Sequence, residues 1–411
     1  MDERQGPQSA AKGSPRGGSI VMLLDNAFRP DPRVANEARS LAQAGYEVTL
    51  LAWDREGQRP RRETWHGVRV ERLGPRSRHR LGSRQAVYLL GFWWRAFWRV
   101  IGRRPDAVHC HDFNTLPAGW LLAVVTGCRL VYDAHESYAD MLGPNVAGWI
   151  KRLVAWLERR LIGRADAALT VGELLAEELE RRGARRTWVV GNWKSLEDFD
   201  FGEAELRAAR RELGFGDGLL VSYIGWLNAD RGVAPLLEAA GELEGVGLLV
   251  GGDGPLAGAV AEAAERGGGI RYLGFVDPGR IPLYTSVSDV VYYGLDTCNP
   301  NARYSAPNKL FEALAAGKAV VCNDCGEVGR IVRQEACGRV VPALSRQALA
   351  AALDELRNPQ ELARCQARAR AAGQQRYNWA RAERQLLDLY RAIGLPPAVG
   401  RRTDGAEEDS R

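Results

Sequence analysis

Short apolar runs alternate with longer amphipathic segments in the first part of the chain. The run Ser19–Leu24 is followed by a polar loop, by a segment at 34–44 with helical spacing of Ala, Leu and charged residues, and by an apolar run at 48–52. This order predicts a strand, a helix and a parallel strand, which together form a βαβ unit. Similar apolar runs predict further strands, at 107–112, 130–134, 167–171 and 188–190.

The pattern starts again in the second part of the chain. An apolar run at 219–224 precedes a glycine-containing loop and a predicted helix at 233–242. Later apolar runs predict more strands, at 247–251, 272–276, 290–293 and 319–322. The repetition predicts an α/β fold with two Rossmann-like domains of similar size that face a central cleft.

Polar and turn-rich segments suggest where the domains begin and end. The run 191–200 is the best candidate for the link between them. We therefore expect a first domain at 19–195 and a second at 196–375. A predicted helix within 376–395 would cross back onto the first domain, and the polar tails at 1–18 and 396–411 are expected to be disordered.

A loop that becomes a helix lies just before the last of these predicted strands. We predict a helix at 305–316, with Ser305 as its N-cap and Gly317 at its end. The N–H groups at such a helix start suit a phosphate, so we interpret the segment as a nucleoside diphosphate site. The alternative is a short helix that only packs on the sheet. The side chains that would serve the site are Asn308, Lys309 and Glu312.

Two glycine-containing loops follow predicted strands in the same half. Gly225 and Arg231 frame the first loop, and Gly252 and Gly254 lie in the second. Glycine lets a ligand approach the backbone, and a guanidinium can bind phosphate oxygens. Ordinary turns explain the same glycines equally well.

The first half has its own candidates at strand ends, where open α/β sheets place ligands. Asp31 and Arg33 lie in the loop and helix start after the first strand and could hold a substrate, although a surface ion pair is an equal alternative. His135 directly follows a predicted strand and is the better functional histidine. His109 and His111 share one strand face, and we interpret them as packing or hydrogen-bonding residues rather than metal ligands.

Arginine and tryptophan are concentrated in one stretch. Between Arg55 and Arg104 there are fourteen Arg and three Glu, although the whole chain carries only +5. The predicted helix at 85–101 contains Trp93, Trp94 and Trp98, the composition of a helix in a membrane interface. A second candidate lies at 149–162, and packing on the protein itself is the alternative for both. Arginines flank the first helix, at Arg78, Arg80, Arg84, Arg103 and Arg104.

Cysteine usage and the N-terminal composition bear on the compartment. Seven cysteines without framework spacing indicate a reducing environment, and the C-x-x-C at Cys322 and Cys325 has no second ligand pair nearby. We predict no metal and no cofactor. No apolar run reaches the ~20 residues of a spanning helix, and the first 18 residues do not look like a signal peptide. The expected location is cytoplasmic, peripheral on the inner face of the cell membrane.

The motifs together resemble a known family, the GT-B retaining glycosyltransferases of family 4. The resemblance covers roughly 19–389. In the first half it depends on the segments at 31–45, 109–112 and 131–136. In the second half it depends on 251–255, 272–276 and 307–317, and the order and spacing of all six carry the resemblance.

The family implies a donor bound mainly by the second domain and an acceptor received by the first domain, where Asp31 and Arg33 would lie on the acceptor side. It also implies no obligatory metal and retention at the anomeric carbon. Glu312 matches the second Glu of the family's E-x7-E motif, which bonds the ribose hydroxyls of the nucleotide. Arg231 matches a basic residue that neutralises the diphosphate, with Lys309 beside it. His135 matches a histidine near the reaction centre. Val276 matches a position whose backbone contacts the base.

Two positions depart from the family pattern. Tyr304 stands where the first Glu of the E-x7-E motif is expected, a position that normally touches the donor sugar. Trp226 stands where many relatives have arginine. Donor sugar specificity therefore cannot be inferred from the motif.

The expected function is transfer of a sugar from a nucleoside diphosphate sugar, UDP- or GDP-linked, to a lipid-linked or polysaccharide acceptor. The expected partners are that donor, that acceptor and an anionic membrane surface, without nucleic acid. Two alternatives stay open. One is a sugar-nucleotide 2-epimerase, which shares the architecture, and the other is a non-catalytic sugar-nucleotide-binding scaffold at the membrane.

Overall fold

The structure is a computed structural model that describes residues 17–28, 31–77, 85–141, 146–298 and 300–398. The predicted disordered tails lie outside these residues apart from 17–18 and 396–398. Arg78, Arg80 and Arg84 also lie outside the described residues.

Strands and helices alternate through both halves of the chain. The described strands are β1 (Ser19–Leu24), β2 (Glu47–Trp53), β3 (Arg62–Trp65), β4 (Val68–Leu73), β5 (Ala107–His111), β6 (Arg129–Ala134), β7 (Ala167–Thr170), β8 (Thr187–Val189), β9 (Leu219–Ile224), β10 (Val246–Gly251), β11 (Ile270–Tyr272), β12 (Val290–Tyr293), β13 (Ala319–Asn323) and β14 (Gly338–Val341).

The helices are mostly amphipathic and connect successive strands. They are α1 (Pro32–Gln43), α2 (Gln85–Ile101), α3 (Leu116–Thr126), α4 (Tyr138–Met141), α5 (Gly148–Ile162), α6 (Glu173–Arg181), α7 (Glu203–Glu212), α8 (Val233–Glu242), α9 (Ala257–Glu265), α10 (Ile281–Val287), α11 (Asn308–Ala316), α12 (Gly326–Glu335), α13 (Arg346–Leu356), α14 (Pro359–Gln375) and α15 (Trp379–Ala392).

The strands form two sheets. The first has eight strands in the order β3-β4-β2-β1-β5-β6-β7-β8, and the second has six in the order β11-β10-β9-β12-β13-β14. Neighbouring strands such as β1 and β2, β5 and β6, or β9 and β12 pair in parallel, whereas β3 is antiparallel to β4. The second order is that of a Rossmann fold, so the predicted α/β class with two Rossmann-like sheets is confirmed.

The core of the second sheet explains why its strands read as continuous apolar runs. Val221 of β9, Val250 of β10 and Val290 of β12 are fully buried and belong to one cluster with Leu236 of α8 and Leu353 of α13. The opposite face has a smaller cluster. A parallel strand covered on both faces carries apolar residues at consecutive positions, so its sequence does not alternate.

Three sequence-based elements need correction. Residues 62–73, for which the sequence analysis predicted no element, contain β3 and β4. The predicted strand at 272–276 ends early because Gly274 adopts φ 64°, which breaks the extended backbone after β11. The predicted helix at 305–316 begins only at Asn308, with Pro307 as its N-cap, because the preceding residues form a separate 3-10 turn at Pro300–Tyr304.

Contacts divide the chain into two compact units. One comprises 1–133, 164–167 and 386–411, and the other comprises 134–163 and 168–385. In the first unit, Tyr390 of α15 contacts His109 of β5, with 3.0 Å between the hydroxyl and Nδ1. The domain boundaries drawn from the sequence remain predictions.

Candidate functional site

The candidate site lies in the second unit, where the strand order of the second sheet reverses. β9 has β10 on one side and β12 on the other, so the connections after these strands leave in opposite directions. The loop after β9 begins at Gly225, and β12 ends at Tyr293. Open parallel sheets bind ligands at the carboxyl ends of the strands at such a point.

Lys309, in the first turn of α11, brings a positive charge to this point. Its Nζ lies 4.9 Å from the ring centroid of Tyr223, a cation–π distance. A Cβ atom on Gly225 would collide with this ammonium, so a side chain there would have to displace the end of Lys309. Burial lowers the pKa of Lys309 to about 8, with a smaller lowering from the positive charge of Arg231 and an opposing effect of Glu312.

Arg231 supplies the second positive charge. It ends a 3-10 turn whose carbonyls, of Arg231 and Gly232, accept hydrogen bonds from Tyr292 Oη at 3.1 and 3.2 Å. The Arg231 Nη1 atom donates to Tyr293 Oη at 3.3 Å, and that hydroxyl lies 3.1 Å from Ser305 Oγ. Ser305 therefore anchors a tyrosine from β12 and does not cap α11, which corrects the sequence-based N-cap.

Glu312 and Asn308 face a lysine that the sequence reasoning did not assign to the site. Lys194 Nζ donates to Asn308 Oδ1 at 2.8 Å and lies 3.4 Å from Glu312 Oε1. Both charged side chains are largely buried, at 18% and 13% exposure. No local pattern indicated the pairing of Lys194 with Glu312. Lys194 lies in a polar run that was interpreted as a linker, and Glu312 follows 118 positions later, so only folding brings the two together.

The predicted glycines lie where backbone segments touch. A side chain on Gly252 would collide with the Gly225 carbonyl, and one on Gly254 would collide with the Leu227 carbonyl. Both glycines have positive φ, 128° and 145°. Val276 packs against Gly251, because a Cβ atom there would lie 2.6 Å from Val276 Cγ2. These residues close one side of the β9 loop, and their role toward a nucleotide stays a prediction.

The remaining candidates of this unit differ in exposure. His135 directly follows β6 and is partly buried. Tyr304 is buried, at 4% exposure, and lies under the Arg303 guanidinium, 4.9 Å from the ring centroid. Trp226 is 57% exposed and Phe275, next to Val276, is 79% exposed. Phe275 was missed, since one aromatic residue after a strand has no distinguishing pattern.

The acceptor-side candidates lie in the first unit. Asp31 precedes α1 and accepts a hydrogen bond from Asn26 Nδ2 at 3.4 Å. Arg33 is buried, with its Nη2 atom 2.5 Å from Asp133 Oδ1 and its Nε atom 3.2 Å from Glu37 Oε1. Burial lowers the pKa of Arg33, but the charges of Asp133 and Glu37 outweigh it and raise the pKa overall. The acceptor role of both residues stays a prediction.

The same cluster contains the two histidines of β5. His111 Nδ1 lies 2.9 Å from Asp133 Oδ2, and His109 Nε2 lies 3.7 Å from Glu37 Oε2. These four residues offer ligand atoms within 4.8 Å of one another, a spacing suited to a metal. A metal would compete with the guanidinium of Arg33, which already contacts both carboxylates. The absence of a metal stays a prediction, which elemental analysis of the purified protein would test.

Comparisons with known proteins agree with this geometry. Residues 30–193 match the family described as "Glycosyl transferase 4-like domain", and residues 218–358 match "Glycosyl transferases group 1". A phosphatidyl-myo-inositol mannosyltransferase of Mycobacterium leprae is 31% identical over 297 residues, which are 70% of this chain and 74% of that protein.

Solved structures share the fold at lower identity. Sucrose-phosphate synthase from Thermosynechococcus elongatus has a TM-score of 0.75 at 19% identity, covering 92% of this chain and 99% of that one. The Anabaena protein HepE in complex with UDP-glucose has a TM-score of 0.67 at 17% identity, covering 91% and 99%.

The chain therefore belongs to the GT-B glycosyltransferases of family 4. It is a glycosyltransferase that uses a sugar-nucleotide donor. The family matches and the similar mannosyltransferase do not favour the epimerase or the scaffold alternative. None of the helices within the described residues combines the length and apolar character needed to cross a bilayer.

Proposed function

We propose that the protein moves a sugar, with retention and without a metal, from a nucleoside diphosphate sugar to a lipid-linked acceptor at the inner face of the membrane. The observation that carries this proposal is the convergence of Arg231, Lys309 and Glu312 at the strand-order reversal of the second sheet. The two cations suit a diphosphate, and the carboxylate of Glu312 suits a ribose; Asp230, 3.6 Å from Arg231 Nε, holds that guanidinium in place.

The cations would stabilise charge that develops on the diphosphate as the sugar leaves. Lys309 and Arg231 belong to different elements, yet the charge of Arg231 lowers the pKa of Lys309, so the two cations repel each other in the ligand-free site. A diphosphate relieves that repulsion and gains charge-assisted hydrogen bonds. In this proposal Glu312 accepts hydrogen bonds from the ribose hydroxyls, with Lys194 holding its carboxylate in place.

Retention requires the new bond to form on the face that the leaving group vacates. The bond between the anomeric carbon and the diphosphate oxygen breaks, the acceptor oxygen bonds to that carbon, and its proton passes to the departing phosphate. His135 would contact the sugar near this centre. Tyr304 replaces the family's first glutamate, so we expect the sugar to be oriented without a carboxylate from that position.

The acceptor class is supported by the relatives and by the surface. One relative is named for transfer to phosphatidyl-myo-inositol, which is a lipid. In this chain, Trp94 and Trp98 of α2 are 64% and 57% exposed. Trp93 is different, because its Nε1 atom donates to the Asn114 carbonyl at 2.8 Å. Exposed tryptophans are typical of proteins that bind at a membrane interface.

The donor assignment can be tested with a nucleotide that lacks ribose hydroxyls. After a screen of UDP-, GDP- and dTDP-sugars selects the nucleotide, its affinity is measured calorimetrically for wild type and Glu312→Ala. We expect a loss of about 1–3 kcal/mol, because a charged acceptor of two hydroxyls is removed. The 2′,3′-dideoxy form should bind both proteins equally.

A matched control is Glu203→Ala, since Glu203 is exposed in the same unit and should not change affinity. Equal losses for the two nucleotides would refute the ribose role of Glu312. Radiolabelled donor with a lipid extract then tests transfer, and the anomeric configuration of the product tests retention. Release of an epimerised nucleotide sugar without acceptor would instead indicate the epimerase.

A further inference from the structure

A cavity of about 570 Å³ lies in the first unit beside α2, and we name it the arginine cavity. Seven arginines and only two acidic residues line it. They come from the loop after β2, from β3 and β4, from the loop after β4, and from α2. Its volume is within the range of small-molecule sites.

The two acidic residues are already engaged. Asp54 accepts hydrogen bonds from the backbone N–H groups of Gly57 and Arg59 at 2.8 and 3.3 Å. Glu71 is held by Arg99 at 2.5 Å and by Arg103 at 2.6 Å. Burial raises the pKa of Glu71, but the hydrogen bonds and charges of Arg99 and Arg103 outweigh burial and lower the pKa overall. The carboxylate therefore stays ionised. Neither acid is left to neutralise the other arginines.

Five arginines of the cavity remain exposed and carry excess positive charge. Within the residues that the structure describes, no carboxylate lies at ion-pair distance from any of them. Two contact backbone carbonyls, of Gly57 and Gly91, at 3.2 and 3.0 Å. Guanidinium groups that converge in this way suit a phosphate, whose several oxygens accept bidentate hydrogen bonds. The five are Arg59, Arg61, Arg62, Arg76 and Arg95.

An exposed apolar stripe lies next to the cavity on the same helix. Val87, Leu90, Trp94 and Trp98 follow helical spacing and are 56–69% exposed. Arg95 lies at the edge of this stripe, one position from Trp94. α3, which contacts α2, also carries exposed apolar side chains, Leu121, Val124 and Val125, at 45–62% exposure.

We propose that the arginine cavity binds the phosphate of an anionic membrane lipid while the apolar stripe enters the interfacial layer of the bilayer. The inference rests on the membrane contact within the proposed function and specifies its chemistry. A soluble phosphate would use the arginines but leave the apolar stripe in water. A bilayer with anionic lipid satisfies both, because phosphates and acyl chains lie at adjacent depths.

The test compares two triple variants that remove the same charge. One is Arg59→Ala, Arg62→Ala and Arg95→Ala in the cavity. The other is Arg211→Ala, Arg266→Ala and Arg271→Ala, which are exposed in the second unit. Both are sedimented with vesicles of phosphatidylglycerol and phosphatidylcholine, and with phosphatidylcholine alone. Each arginine at an anionic surface contributes about 1 kcal/mol, so the cavity variant should lose on the order of 100-fold in binding.

The control triple variant should lose less than about threefold. Equal losses from the two triples would overturn the proposal, because they would reflect net charge alone. Equal binding of wild type to vesicles without phosphatidylglycerol would also overturn it. Inorganic pyrophosphate, titrated calorimetrically, tests a soluble source, and saturable cavity-dependent binding of it without vesicle binding would reject the lipid.

The stripe has its own pair of variants. Trp94→Ala with Trp98→Ala should reduce sedimentation by at least tenfold, and Trp149→Ala with Trp156→Ala on α5 should leave it nearly unchanged. The second pair is also exposed, at 63% and 54%, so it controls for loss of any surface tryptophan. Equal losses from the two pairs would contradict the proposed stripe.

Nucleotide affinity, measured on every variant, separates this inference from the proposed function. Loss of vesicle binding with intact nucleotide affinity supports the cavity as a lipid site. Normal vesicle binding by the cavity variant refutes the cavity but leaves the donor site standing. Failure of wild type to bind any nucleotide refutes the proposed function directly.

Discussion

The two sheets reverse their strand order at equivalent places, β1 with β5 in the first and β9 with β12 in the second, yet the side chains there behave differently. In the first sheet, Arg33 is buried against Glu37 and Asp133, with both histidines of β5 beside them. In the second sheet, Arg231 and Lys309 have two carboxylates nearby. Asp230 Oδ2 lies 3.6 Å from Arg231 Nε, and Glu312 already has Lys194 as its partner.

This difference shows that a reversal of strand order forms a crevice in both sheets, and that the charged side chains in each crevice determine whether it can bind a ligand. The first cluster matches its guanidinium with carboxylates inside the protein, so it stabilises α1 against β5 and β6. The second keeps two cations close together and partly desolvated, which lowers the pKa of Lys309. An anionic ligand would relieve this repulsion, which makes the pair of cations a candidate binding site.

The largest expected effect is on the buried cluster. Arg33→Met should lower the free energy of unfolding by about 3–5 kcal/mol, because two carboxylates would remain buried without the guanidinium. Chemical denaturation of wild type and variant measures it. Arg129→Met is the control, since Arg129 pairs with Asp166 at 2.9 Å at the surface and should cost at most about 1 kcal/mol. Similar costs for both would mean that the buried cluster is not a stabilising unit.

A smaller effect is expected at the second site, on binding and not on stability. Lys309→Met should weaken nucleotide binding by about 2 kcal/mol, because a charge-assisted contact with the diphosphate is lost. Lys318→Met is matched to it, since burial also lowers the pKa of Lys318, at the other end of α11. Calorimetry with the nucleoside diphosphate measures both. Unchanged affinity in Lys309→Met would remove this lysine from the site.

The smallest effect is a pH dependence. The ligand-free pKa of Lys309 is about 8, and only the protonated amine attracts a diphosphate. Affinity should therefore be highest below pH 8 and about tenfold lower at pH 9, a range in which the phosphate is already fully ionised. Lys309→Arg should make the profile flat up to pH 10, because arginine stays charged. A wild-type profile as flat as that of the arginine variant would contradict the low pKa.

Sequence reasoning succeeded where the signal is local. The apolar runs at β1, β9 and β12 predict buried strands, and the order of motifs indicates the family. It failed where the signal is weak or distant. β3 and β4 were missed because arginines interrupt them, and the start of α11 was placed three residues early because Ser305 is a good N-cap residue that instead bonds Tyr293.

The sequence by itself determined the α/β class, the family, and the segments that carry Arg231, Lys309 and Glu312, because periodicity and motif spacing are properties of neighbouring residues. Only the tertiary structure decided which charges meet. It paired Lys194 with Glu312, buried Arg33 between carboxylates, and placed around one cavity five arginines that have no acidic partner among the described residues. These outcomes depend on distances between residues far apart in the chain, and folding alone sets those distances.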